Sequence, residues 1–492
     1  MEHASLLAVS FEVVLLAGAL AVLLVAVVAN RAPAVWGPVA GFAFLLSAIA
    51  GLWQWFEVDS GNGGLFFSSQ HLDILRSPMV VLDGFSALAA IVLGLVGFVG
   101  FLGSWDLQAR LGKRAAEFSV LMLLGVAGLH MMTATPNLVV VFIGLETASI
   151  SFYVLAGFTR SVRGSDEAAL KYFLLGSLAS ALFLYGVALT FAATGSLTIY
   201  GQNSIRNFFS TEIVSSPGIL LAGLALMLVG LLFKVSAAPF HQWAPDVYEG
   251  APAGAVGLMA AGVKVAGLAA LARIFIGGMI SQIDTWAPLI AVVAGISMVV
   301  GTVMALVQDD LKRMLAYSGV AHAGYLLTTL VAGPFGLEAM WFYLATYSFM
   351  IVGAFVVVSV VVGPGAGSAP IAALRGLARR NTETAWLMTV MMLGMSGMPF
   401  FAGFVGKVLA FTAANDAGYL WLVIIGTLTT VIGLVFYLRV VAVMFTDSDE
   451  GALSFEVSMN SRFALILASA VTFVFGVVPW PLLDVVRKAI PF

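Results

Sequence analysis

Four lysines stand where lysine is costly. Lys171, Lys234, Lys264 and Lys407 fall inside long apolar runs of this 492-residue chain, which has only seven lysines, and Arg439, Glu12 and Glu146 fall there too. A charge near the centre of a bilayer costs at least about 2.5–3.5 kcal/mol on insertion scales. Such groups persist where they face a protein interior, pair, or line a hydrated path. The lysines and glutamates can gain and lose a proton, so the chemistry these residue types offer is proton transfer. Arginine stays charged, so Arg439 is expected to hold carbonyls or bias a neighbouring lysine.

Spacing sharpens the set. Glu146 has Ser149 and Tyr153 at i+3 and i+7, which puts all three on one helix face. A carboxylate on such a stripe is a proton carrier or half of an ion pair. Lys234 comes five residues before Pro239. Proline removes a backbone hydrogen bond and clashes one turn back, so the helix is expected to break near 235–239. Broken helices are tolerated at membrane depth where the freed carbonyls line a cavity. The alternative for Lys234 is a side chain that snorkels to the interface. Lys264, between Gly262 and Gly267, is expected to point into a tight helix contact. Gly397-Met-Pro399 repeats the break, with Lys407 eight residues later.

The secondary candidates are Lys171, His322 and His241. Lys171 has Glu167 at i−4 and suits a surface ion pair as well as a relay. His322 lies mid-helix among small residues and suits a proton shuttle or a hydrogen-bonded structural role. His241 follows the first break as an entrance group or a cap. His130 reads as structural, and Glu12, alone in the first span, as structural or lipid-adjacent.

The elements that carry these groups follow from composition. The chain is 61% hydrophobic and 10% charged, against roughly 45–50% and about 25% in soluble proteins. Lipid must be its main solvent. With about 20 apolar residues needed per crossing, fourteen spans are expected, near 5–29, 35–55, 79–103, 117–134, 137–158, 168–193, 218–243, 253–277, 287–307, 312–332, 337–362, 384–413, 418–446 and 463–487. The fold class is an all-α polytopic membrane protein, a single transmembrane domain over 1–492. Two proline-broken spans five apart, each with a lysine, predict two inverted five-span repeats, at 117–277 and 287–446. A three-span segment, 1–116, precedes them and a final span, 447–492, follows. The stretch 56–78 is expected to be a loop. The first apolar run has no basic leader and reads as a span rather than a cleaved signal.

Loops after odd-numbered spans hold twelve Lys and Arg, among them Arg31, Arg160, Arg163, Lys312 and Arg313, whereas loops after even-numbered spans hold Arg76, Arg206 and Arg273. The odd loops are therefore expected in the cytoplasm and both termini on the periplasmic side of a bacterial inner membrane. A net charge of −3 without a basic block argues against nucleic-acid binding. Zero cysteines exclude disulfides and thiolate-ligated clusters in this chain, and five scattered histidines argue against a metal site.

Several motifs carry a resemblance. Phe240-His241-Gln-Trp243-Ala-Pro245-Asp246-Val-Tyr248-Glu249-Gly250 resembles the loop after the seventh helix in the antiporter-like subunits of respiratory complex I, most of all the N branch of NADH–quinone oxidoreductase. Asp309-Asp-Leu-Lys312-Arg313, Ala321-His322-Ala-Gly324-Tyr325 and Pro399-Phe-Phe-Ala-Gly403-Phe-Val-Gly406-Lys407 agree, and a lysine at the last position fits that branch. The resemblance implies a proton-translocating membrane-arm subunit in which Glu146 and Lys234 form a coupled pair. It places Lys264 on a central hydrated axis and Lys407 at the end of the second half-channel, with Lys171 near the pair. It further implies no cofactor here, with NADH, FMN, iron–sulfur clusters and quinone in partner subunits. The partners would be other antiporter-like and small membrane-arm subunits, the peripheral redox arm indirectly, and lipid. Alternatives are an Mrp-like cation/proton antiporter subunit, including Na⁺ as the ion, or the equivalent subunit of a hydrogenase-linked complex.

Overall fold

A computed structural model describes residues 6–29, 33–66, 78–159, 164–201, 203–211, 217–363, 367–447 and 457–490. The long helices are α1 (Ser10–Ala29), α2 (Pro33–Asp59), α3 (Gly84–Gly103), α4 (Ala115–Thr133), α5 (Leu138–Ala156), α6 (Ser165–Thr194), α7 (Pro217–Lys234), α8 (Trp243–Gly250), α9 (Ala253–Leu271), α10 (Ile283–Leu306), α11 (Leu311–Leu330), α12 (Leu337–Val362), α13 (Thr382–Ser396), α14 (Ala402–Asp416), α15 (Leu420–Phe445), α16 (Met459–Val477) and α17 (Trp480–Ala489). Twelve helices among the described residues are long and apolar enough to cross a membrane. The expected spans at 312–332 and 384–413 are outside that set: the first is α11, rich in polar side chains, and the second is split into the shorter α13 and α14.

Three expectations need correction. Residues 56–59 continue α2, and Gly64–Phe66 pairs antiparallel with Val80–Leu82, so the 56–78 stretch is not simply a loop. The third helix starts at Gly84 rather than 79, because Asp83 caps it and Ser86 completes the capping box. The last span divides at Val478-Pro479 into α16 and α17. Arg31, Arg76, Arg160 and Arg163, which carried part of the charge asymmetry, lie outside the described residues.

The helices form layers. Every residue of α9 is buried, and in α11 all but Arg313 are. Around them, α1, α6 and α15 turn rows of Leu, Val and Phe outward, such as Leu16, Leu20, Leu428 and Val435. That pattern suits a bundle whose rim meets lipid or other subunits. Close approach uses small residues: a methyl added at Gly128 of α4 would sit 2.7 Å from the Gly144 carbonyl of α5.

Both breaks appear where proline requires them. α7 ends at Lys234 and α13 at Ser396, and each interruption holds a left-handed non-glycine residue, Ser236 (φ 61°) and Phe400 (φ 73°). Such residues cost of order 1–3 kcal/mol and persist where the surroundings over-determine them. In the first break the Ala238 amide donates to Ser297 Oγ of α10 at 2.9 Å, and Trp243 Nε1 donates to the Phe233 carbonyl at 3.1 Å.

Candidate functional site: a buried line of titratable side chains

Lys234 is the last residue of α7 and is buried. Its Nζ donates to Ser149 Oγ at 2.7 Å, and Ser149 Oγ donates to the Leu145 carbonyl of its own helix. Glu146, one turn before Ser149, keeps a buried Oε1 with no hydrogen-bond partner. Among the described residues no ion pair joins Glu146 to Lys234 directly. Ser149, which meets Lys234, lies one turn from Glu146 on the helix face that i, i+3 spacing assigned to it.

α9 carries the next member. Gly267 lets α9 approach the break so closely that an added methyl would lie 2.5 Å from Val235 Cγ1, and one at Gly262 would lie 2.7 Å from Leu129 Cδ1. The flanking glycines therefore make the tight contacts expected of them. Lys264 is 2% exposed and has no hydrogen bond among the described residues. Its Nζ and the Tyr347 hydroxyl both face Gly319 of α11, at 3.5 and 3.4 Å from a methyl built there. The Tyr347 hydroxyl is likewise buried without a partner.

From Tyr347 the line continues through His322, whose rings lie 4.6 Å apart. His322 Nδ1 meets the Tyr343 hydroxyl at 2.9 Å and Nε2 meets the Tyr437 hydroxyl at 3.1 Å, and Tyr437 also bonds Ser318. Hydroxyls donate or accept, so this histidine can exchange which nitrogen carries its proton. Tyr325 bridges onward, its ring 5.7 Å from His322 and 4.7 Å below Lys407 Nζ. Lys407 Nζ donates to the carbonyls of Met395 and Ser396 at 3.2 and 3.1 Å. Those are orphan carbonyls at the C-terminal end of α13, so the second break supplies the acceptors for the lysine that follows it.

Lys171 lies apart from this line, at a rim. It is 42% exposed and bonds Glu167 and Asp246, each at 2.7 Å. Arg313 ties the other Asp246 oxygen and Glu249, each at 2.8 Å. These side chains, with Gly164, Gly250 and Ser368, line a cavity of about 320 Å³. Burial pushes the Asp246 carboxyl up, but the Lys171 and Arg313 bonds prevail and hold it below the usual carboxylate range. The surface ion pair weighed for Lys171 is present, and its neighbour Tyr172 stacks on Trp243 and meets Tyr153 edge-on at 4.7 Å. His241 sits in the first break, partly exposed, with a buried Nδ1 that has no partner and its ring 6.1 Å from Tyr317.

Two residues counted as loop charges are interior. Arg273 is fully buried in a π-helical turn that extends α9, bonded to both oxygens of Asp83 at 2.7 and 2.8 Å, to Tyr200 and to the Thr133 carbonyl. Lys312 is buried too, donating to the carbonyls of Ala251 at 2.8 Å and Gly367 at 2.6 Å. Their positions at helix ends disguised them as loop residues. Arg439 bonds the Gln308 carbonyl just past α10, in keeping with one of the two roles weighed for it. Glu12 is not alone: its Oε1 lies 2.6 Å from His130 Nδ1. Of the tyrosines around His322, Tyr325 belongs to the quoted motif, whereas Tyr343, Tyr347 and Tyr437 carried no sequence signal beyond helical spacing in the first two. No group of three or more potential metal ligands occurs among the described residues.

Comparison with known proteins places this geometry in context. A family model described as "NADH:quinone oxidoreductase/Mrp antiporter, TM" matches residues 135–433. A protein of Solibacter usitatus named NADH-quinone oxidoreductase subunit N 1 is 41% identical over 414 residues, covering 84% of each chain. A chain of respiratory complex I from Thermus thermophilus superposes with a TM-score of 0.81 at 31% identity, covering 97% of this chain and 100% of that one. A chain of the Mrp complex from Dietzia shares the fold, with a TM-score of 0.83 at 21% identity and coverage of 99% and 97%.

Proposed function

The chain belongs to the transmembrane family shared by NADH:quinone oxidoreductases and Mrp antiporters, and from that membership and the buried line we propose how it works. It is a multi-pass membrane-arm subunit of a proton-pumping NADH–quinone oxidoreductase, of the subunit N type, partnered by other subunits of the membrane arm.

The proton route is our own reading. Glu146, Lys234, Lys264 and Lys407 carry protons, with Ser149, Tyr347, His322, Tyr343 and Tyr325 between them. Lys171 and Asp246 form a charged vestibule and His241 an entrance group. The observation that carries this reading is the run of buried polar side chains at and between the two broken helices: Lys234 on Ser149, Lys264 and Tyr347 facing Gly319, His322 between Tyr343 and Tyr437, and Lys407 over Tyr325. When a proton arrives at Lys234, Ser149 shares its charge and Glu146 balances it. When that balance shifts, the desolvated ammonium gives its proton onward. Neighbouring sites then respond in turn, which relays an electrostatic change along the membrane plane.

The two broken-helix sets, 117–277 and 287–446, act as two half-channels related as inverted repeats, within a fourteen-span bundle whose two termini face the periplasm. The distribution of Lys and Arg supports that orientation. Redox chemistry belongs to partner subunits, which hold the flavin, the clusters and the quinone site.

The test is donor:quinone turnover and proton pumping in vesicles carrying Lys234→Ala, beside Lys171→Ala, with assembly read on a native gel. Assembled Lys234→Ala complex is expected to lose most pumping and coupled turnover. Normal pumping by that variant sinks the relay.

A further inference from the structure

The mechanism above leaves unused a buried titratable pair that joins α1 to α4, the first helix of the 117–277 set. His130 of α4 is fully buried, and Glu12 of α1 is 13% exposed. His130 Nε2 lies 3.2 Å from the Ser86 carbonyl of α3, and Nδ1 lies 2.6 Å from Glu12 Oε1. The Phe11 ring covers the imidazole at 4.3 Å.

Hydrogen-bond roles fix the number of protons. A backbone carbonyl only accepts, so Nε2 carries a hydrogen. Between Nδ1 and Oε1 one further proton is required, because without it two lone pairs would face each other across 2.6 Å. That proton sits on the imidazole, giving an ion pair, or on the carboxyl, giving two neutral groups. Either way the pair is neutral overall, which a packed apolar site demands. Losing the proton leaves a buried carboxylate uncompensated, and adding a second leaves a buried cation uncompensated. His322 differs, since both its partners are hydroxyls that can donate or accept.

We infer that Glu12 and His130 form a proton-binding dyad, separate from the Glu146–Lys407 line, that holds one proton between Oε1 and Nδ1 and clasps α1 to the body of the protein.

The surroundings support a self-contained site. Asp83, which caps α3, and Arg273, which bonds the Thr133 carbonyl of α4, neutralise each other. From α2, Glu57 is engaged by Trp53 and Asn62, and Asp59 by Lys488. The other ties of α1 here are neutral, from Gln54 to the Leu7 carbonyl at 3.0 Å and to Ser10 Oγ at 3.2 Å. α1 is also the least buried of the spans, so a polar clasp has more to do there than elsewhere.

The experiment uses the assembled complex, with infrared spectroscopy and a count of bound protons by titration, for the unsubstituted protein, Glu12→Gln and His130→Gln. Both variants are expected to lose the same carboxyl–imidazole signature, and Glu12→Gln also one bound proton, while Lys234-dependent pumping stays as it was. An unchanged signature and proton count in both variants overturns the inference. Should Glu12→Gln fail to assemble, Glu12→Asp keeps a carboxyl with a shorter reach and must shift the signature. An unshifted signature there also overturns it.

Discussion

The ammonium of Lys234 meets Ser149, at 2.7 Å, rather than the carboxylate of Glu146 one helical turn away. The serine hydroxyl is thus the side-chain partner of Lys234, on the same helix face as Glu146. Replacing it tests that role. Ser149→Ala removes the acceptor of a buried charged donor, a loss of about 1–3 kcal/mol or more. Coupled pumping in vesicles is expected to fall, while Ser149→Thr, which keeps a hydroxyl, retains most of it. Equal activity in both variants would place Glu146 and Lys234 in direct contact during turnover.

His322 depends on two phenols. Tyr343→Phe and Tyr437→Phe each strip one ring nitrogen of its partner. Each is expected to slow pumping several-fold with assembly intact, and the double variant to slow it by less than the product of the singles, because the three groups act as one unit. Product-like losses in the double variant would mean two independent roles.

Arg273 anchors the C-terminal end of the central helix α9. Arg273→Leu leaves Asp83 without its counter-charge, and breaking a buried pair on one side costs about 3–5 kcal/mol. The expected result is a complex that assembles poorly and melts earlier in a thermal scan. Removing both charges, with Asp83→Asn added, is expected to recover part of the loss. No recovery in the double variant would show that the Thr133 and Tyr200 bonds carry most of the anchoring.

The rim cluster predicts a pH response. Asp246 is held below the ordinary carboxylate value of about 3.9 by Lys171 and Arg313. A depressed carboxylate contributes stability that is full above its unfolded pKa and fades as pH falls through the lower folded value. The clasp of α6, α8 and α11 should therefore be insensitive to pH near neutrality and loosen only below about pH 4. Proteolysis of the loops at this face, followed against pH, would show it. In Asp246→Asn the acid-induced step should shrink, and its persistence would assign the step to another carboxylate.

Much of this protein was legible in the sequence because lipid imposes few solutions. Apolar runs of crossing length had to become helices, and proline had to break two of them, so the breaks at Lys234 and after Ser396 fell where Pro239 and Pro399 put them. The cost of intramembrane charge likewise singled out Lys234, Lys264 and Lys407 before any contact was known. What sequence order alone left open was who meets whom. Helical periodicity names the residues on a face but not the face opposite, so the Ser149–Lys234 bond, the tyrosines around His322 and the carbonyls that hold Lys407 depend on packing between distant helices. Arg273 and Lys312 were misread for a related reason: a charge at a helix end looks like a loop residue until tertiary structure folds a partner over it, and Glu12, read as alone in the first span, gains its partner His130 only through packing.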